Sequence, residues 1–168
     1  MMLDLDQSLA ASRDAVDQLI RRSEQGSAVW TAARAPGKWS PSQLVEHVAR
    51  SLEESANMAA GRPSKFPQLP GFLHPVARLL LFRRVLRNGT FPKARTNPAM
   101  DPSSGPLSVT EGRHRLEAAH RSFEMACRTS AAQGGRMCTT IFGAVAVEEY
   151  VRFMELHTRH HAQQLPTG

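Results

Sequence analysis

The chain has 168 residues, a formal charge of +6 and two cysteines. That length supports one domain, residues 1–168, with a real hydrophobic core. Two cysteines outside any C-x-x-C arrangement make no disulfide framework, so Cys127 and Cys138 are expected as free thiols.

No stretch approaches the roughly 20 apolar residues that span a bilayer. The longest candidate, residues 76–86, is cut by Arg78, Arg83 and Arg84. Asp4 and Asp6 stand where a signal peptide carries basic residues and then an apolar run, so a cytoplasmic location with no membrane partner is expected. Much of the positive charge gathers at Arg78, Arg83, Arg84, Arg87, Lys93 and Arg95. Only Phe82 and Phe91 lie among these cations. Without aromatics interleaved for base stacking, the run reads as a solvated face, which argues against a nucleic acid partner.

Leu5, Leu9, Val16, Leu19 and Ile20 share one side of a helix over residues 5–24, with Asp14 and Asp17 opposite and Gly26 ending it. Trp30 opens a connection, and Pro36-Gly37-Lys38-Trp39 turns the chain. The second helix has the clearest start. Ser40 caps, Pro41 suits the first helical position, and Gln43 completes a Ser-x-x-Gln capping box. Leu44, Val48, Leu52 and Ala59 form its apolar side, and His47 lies on that side, facing the interior. A single inward histidine is more often a hydrogen-bonded core residue than a ligand.

Prolines 63, 67 and 70 make the following connection extended. Residues 72–86 read as a helix, apolar on one side and arginine-rich on the other, which packs over the bundle, lines a pocket mouth or forms a dimer surface. Asn88-Gly89 stops it, and prolines 92, 98, 102 and 106 keep the chain irregular. A long ordered loop of this kind often borders a functional site. Residues 62–106 therefore form a crossover carrying one extra helix.

Ser108 or Thr110 opens the next long helix, running to about residue 128 with Leu116, Ala119, Phe123 and Ala126 or Cys127 inward. His120 can reach the interior; His114 faces away. Gly134-Gly135 breaks the chain, residues 139–143 follow, and the last helix begins near Ala146 or Val147. Ala146 is a poor cap. Pro166-Thr167-Gly168 reads as a disordered tail. With no strand pattern, repeat or phosphate loop, the fold class is all-α: a four-helix bundle with a long crossover and an extra helix between helices 2 and 3.

The last helix carries the chemistry. Val147, Tyr150, Met154, His157, His161 and Gln164 advance by threes and fours along one inward stripe. His157 and His161 are therefore one turn apart, and their imidazoles can converge on a single ion. A third ligand must come from elsewhere. His47 is the obvious supplier and His120 the reserve, while His160 competes with His161 as the i+3 partner of His157.

Trp39-Ser40-Pro41-Ser42-Gln43-Leu44-Val45-Glu46-His47 resembles the second-helix motif of the DinB/YfiT-like superfamily, W-[ST]-x-x-[EQ]-x-x-x-H. Phe142-Gly143, residues 148–153 and the run His157-Thr158-Arg159-His160-His161-Ala162-Gln163-Gln164 resemble its last helix, which closes on H-x-x-H-H-x-x-Q. The resemblance implies a DinB-like bundle whose metal ligands are His47, His157 and His161. His160 is then a neighbour, and Gln164 a structural group or a support to the ligands. Tyr150 replaces a frequent Trp, and Ala146 a frequent Ser or Thr.

The family includes thiol-dependent transferases and isomerases and often forms homodimers. The expected cofactor is therefore a divalent metal ion, Zn or Ni, activating a thiol or water. The expected partner is a small-molecule substrate such as a low-molecular-weight thiol, drawn in by the basic segment if it is acidic. Glu46 and Glu155 turn away from the histidines beside them, so no general base is evident. The alternative is a non-enzymatic metal-binding or stress-related interaction module.

Overall fold

A computed structural model describes residues 4–33, 35–93 and 96–165. Arg95 and the tail Pro166-Thr167-Gly168 lie outside the described residues. Four long helices make the body: α1 (Leu5–Gln25), α2 (Pro41–Ala59), α5 (Val109–Ala132) and α6 (Val147–Ala162). Their starts follow local chemistry. Asp4 caps α1 by accepting from the Asp6 amide at 3.1 Å. On α2 the Ser40 hydroxyl accepts from the Gln43 amide at 3.2 Å while the Gln43 side chain accepts from the Ser40 amide at 3.0 Å. Ser108 caps α5 by accepting from the Glu111 amide. Helix α6 has no side-chain cap. Instead the Val147 amide donates to the Gly135 carbonyl at 3.0 Å, and Glu148 and Glu149 face the positive end of the helix dipole.

Polar contacts between the helices fix their directions. Helices α1 and α5 run antiparallel, joined at Glu24–Arg113, Arg13–Glu124 and Asp6–Arg128. Helices α2 and α5 run parallel, with Arg115 of α5 bonded to both Glu46 and Glu53 of α2. Helix α6 lies beside α1, where Arg159 bonds Gln18 and Arg22 bonds the Ala162 carbonyl. Against α2 it runs antiparallel, so that Tyr150 meets Ser55 and the C-terminal half of α6 meets His47. Exposed pairs of this kind add little stability, but they set the register.

The expected single helix over 72–86 is instead a composite. A 3₁₀ turn (Gly71–Leu73) is followed by α3 (His74–Ala77), a π turn (Arg78–Phe82) and α4 (Arg83–Asn88). Its apolar residues divide. Phe82 and Val85 are fully buried, whereas Phe72, Leu79 and Leu80 are 78%, 63% and 65% exposed. The buried and partly buried positions 74, 77, 78, 81, 82 and 85 still advance by threes and fours through the π turn, and Phe72, Leu79 and Leu80 fall off that stripe. Phe82 packs on Phe142 and Phe153, with ring centroids 5.0 and 5.2 Å away.

A second correction concerns strands. Residues Arg136–Thr139 (β1) and Gly143–Ala146 (β2) pair as an antiparallel hairpin, with Met137 opposite Val145. Each strand has four residues, too few for an alternation to stand out from loop sequence. Thr139 closes the turn by accepting from the Phe142 amide at 2.9 Å. Gly143 has φ +66°, and a Cβ there would fall 2.9 Å from the His74 Nδ1. Only glycine fits both the backbone and the space.

Candidate metal centre

The crossover is pinned to the start of α2. Ser42 and Trp30 both donate to the Pro106 carbonyl, at 2.7 and 2.8 Å, and Gln43 donates to the Pro102 carbonyl at 2.9 Å. Trp39 donates its indole N–H to Asp101 at 3.1 Å. Gly105 passes so close that a Cβ would lie 2.3 Å from the Ser42 carbonyl oxygen. These ties hold the 3₁₀ turn Pro98–Met100 against α2, with Met100 buried.

The Met100 carbonyl then accepts a hydrogen bond from His47 Nδ1 at 2.8 Å. A carbonyl oxygen can only accept, so Nδ1 carries the proton and the His47 Nε2 presents a lone pair. On α6, His161 Nδ1 lies 3.2 Å from the Gln164 amide oxygen, which fixes the same tautomer. The Gln164 amide nitrogen donates in turn to His160 Nε2 at 3.1 Å. Two imidazoles are thereby oriented by acceptors on the far side of each ring, the arrangement that aims histidine at a metal.

Their Nε2 atoms meet a third. His157 Nε2 lies 3.4 Å from His47 Nε2 and 3.2 Å from His161 Nε2. Tetrahedral nitrogens at about 2.05 Å from an ion stand about 3.3 Å apart. The ligating atoms of all three residues lie within 4.8 Å of one another. Without an ion the group is short of protons: His157 can satisfy one facing lone pair at most. Its Nδ1 is the one buried side-chain nitrogen or oxygen among the described residues with no hydrogen-bond partner. A cation accepts three lone pairs at once, so the donor set fits one.

Burial reinforces this. Desolvation lowers the His47 pKa below 6.5, against the raising effect of the Met100 bond. It pushes His161 down to about 3 and His157 well below its ordinary value, with neighbouring imidazoles adding to the effect. Neutral imidazole is the form that binds metal. Trp39 covers His47 with ring centroids 4.8 Å apart, and Phe91 stands edge-on to His157 at 5.5 Å.

The other candidates are elsewhere. His120, the reserve, is buried between α1 and α5 with Nε2 3.2 Å from the Ser12 hydroxyl. His160 adjoins the group and is occupied with Gln164. Glu46 is held by Arg50 and Arg115. Glu155, 1% exposed, is held by Arg152 and Arg159. The motif reading did not assign roles to Trp39 and Phe91, nor to the Met100 carbonyl. A backbone carbonyl leaves no mark in a sequence.

Fold and side chains define a helical bundle with three histidines at metal-binding distance where α2 meets α6. Residues 4–165 match the DinB superfamily, and the chain belongs to that family. No curated protein and no solved structure matches it. No helix among the described residues is long and apolar enough to cross a membrane.

Proposed function

We propose that this protein is a metal-dependent enzyme in which the Nε2 atoms of His47, His157 and His161 hold one divalent ion, zinc or nickel, and that the reaction is transfer involving a low-molecular-weight thiol. What supports the reading is the meeting of three neutral imidazoles at their Nε2 atoms, with the tautomers of His47 and His161 set by Met100 and Gln164. An ion held by three neutral imidazoles keeps its full charge and an open position, which lowers the pKa of a bound water or thiol toward neutrality. The chain's own residues aim the ligands, and Trp39 and Phe91 limit water around them.

A second reading has one observation in its favour. Glu46 and Glu155 are both committed to arginines, so neither is free as a base. The protein would then be a metal-binding or stress-related interaction module whose ion ties α2 to α6. Cobalt(II)-loaded protein separates the two. A new near-ultraviolet charge-transfer band on adding 2-sulfanylethanol supports an open position; an unchanged spectrum supports the tie.

A further inference from the structure

On the hairpin side of His157 lies a cavity of about 130 Å³. Met58 of α2, Phe142 of the hairpin loop, and Tyr150 and Met154 of α6 wall it, and the partly exposed Leu81 and Ile141 stand at its edge. The π turn supplies Leu81. Every hydroxyl on this wall is already engaged. Ser51 donates to the His47 carbonyl at 2.9 Å, Thr139 to the Gly143 carbonyl at 3.2 Å, and Thr140 to the Met58 sulfur at 3.9 Å. Tyr150 shares a hydrogen bond with Ser55 at 3.1 Å.

Among the described residues, no lysine, arginine or carboxylate lines the space. A charged or polyhydroxylated group placed there would lose its water and gain no partner, which disfavours it. Apolar cavities of about 150 Å³ hold benzene. Four arginines of the basic segment are engaged elsewhere: Arg78 bonds the Phe142 carbonyl, Arg83 pairs with Glu149, and Arg84 and Arg87 edge a separate outer groove beside Leu79 and Leu80.

We propose that this cavity is the substrate's specificity pocket: it takes a compact apolar group, a branched alkyl chain or one aromatic ring, attached to the atom that reaches the metal position. The inference rests on the metal reading for the second half only. The apolar site itself is independent of any ion.

Two arms test it. In metal-free protein, benzene is titrated while the methionine methyl resonances are followed by NMR. Saturable shifts at Met58 and Met154, lost in Ile141→Trp, support the pocket; no saturable shift, or shifts unchanged by the substitution, overturn it. In cobalt(II)-loaded protein, phenylmethanethiol and 2-sulfanylethanesulfonate are compared by their charge-transfer bands. Phenylmethanethiol is expected to bind at least about ten-fold tighter, since burying a ring adds a few kcal/mol, and Ile141→Trp should abolish that preference with metal content unchanged. Equal affinity for the two thiols overturns the pocket's role in substrate choice. Failure to load metal, with benzene still bound, counts against the metal reading alone. Leu81→Trp gives a second blocked edge should Ile141→Trp melt early.

Discussion

Gln164, in the turn that follows α6, accepts the Nδ1 proton of His161 on its amide oxygen at 3.2 Å. That bond selects which nitrogen of His161 is free to ligate. Gln164→Leu keeps the bulk and removes the acceptor, so the affinity for zinc should fall about 10- to 100-fold. Competition with a chromophoric chelator measures it. An unchanged affinity would mean that the helix alone orients the ring.

His120 predicts part of the acid response, away from the metal centre. Burial lowers its pKa below 6.5, with Glu124 and Asp17 opposing and Arg13 reinforcing the shift. The unfolded chain therefore takes up this proton first as pH falls. Stability from the neutral ring is complete above about pH 6.5 and declines below it, toward the lowered folded value. His157 and His161 shift in the same direction, so the comparison must be between proteins. In urea denaturation at about pH 7.5 and about pH 5, His120→Gln should lose less stability on acidification than the parent. An equal loss would place the sensitivity elsewhere.

The helical excursion over residues 71–88 makes a packing prediction. Phe82→Ala should cost about 3–5 kcal/mol, because the ring is fully buried among Phe142, Tyr150 and Phe153. Leu80→Ser, at an exposed position, should change stability by less than about 0.5 kcal/mol. Urea midpoints of the two variants measure both, and equal losses would contradict this packing.

The cysteines should differ in reactivity. Cys138 is exposed, while Cys127 is buried and its thiol is pushed up to about 12 by desolvation. Thiolate is the reactive form. Iodoacetamide should modify Cys138 alone in the native protein and both cysteines in denaturant, as read by intact mass. Native labelling at Cys127 would show that the core around this face of α5 opens readily.

Much of this was legible in the residues. The capping box at Ser40 fixed the phase of α2, and the phase placed His47 inward. The four-residue step from His157 to His161 put both on one face of α6. Other features depend on tertiary contacts. Helix α6 is buried on several sides, Glu155 included, because it packs against α1, α2 and the helical excursion together; a one-stripe pattern describes only a surface helix. The hairpin rests on the turn chemistry of Thr139 and Gly143, and the π turn on no visible local signal. The choice of His47 over His120 rested on the well-fixed start of α2 and then on the family motif, since both are inward histidines. Only the packing of α2 against α6 separates them.

The central claim is that imidazoles from two helices share one ion. Metal stoichiometry after zinc loading and desalting, measured on the parent and on His47→Ala, tests it most directly. One zinc per chain in the parent and none retained by the variant, with its helical circular dichroism preserved, is the predicted result. Stoichiometric zinc in the His47→Ala protein, and again when His157 and His161 are also replaced by alanine, would contradict it.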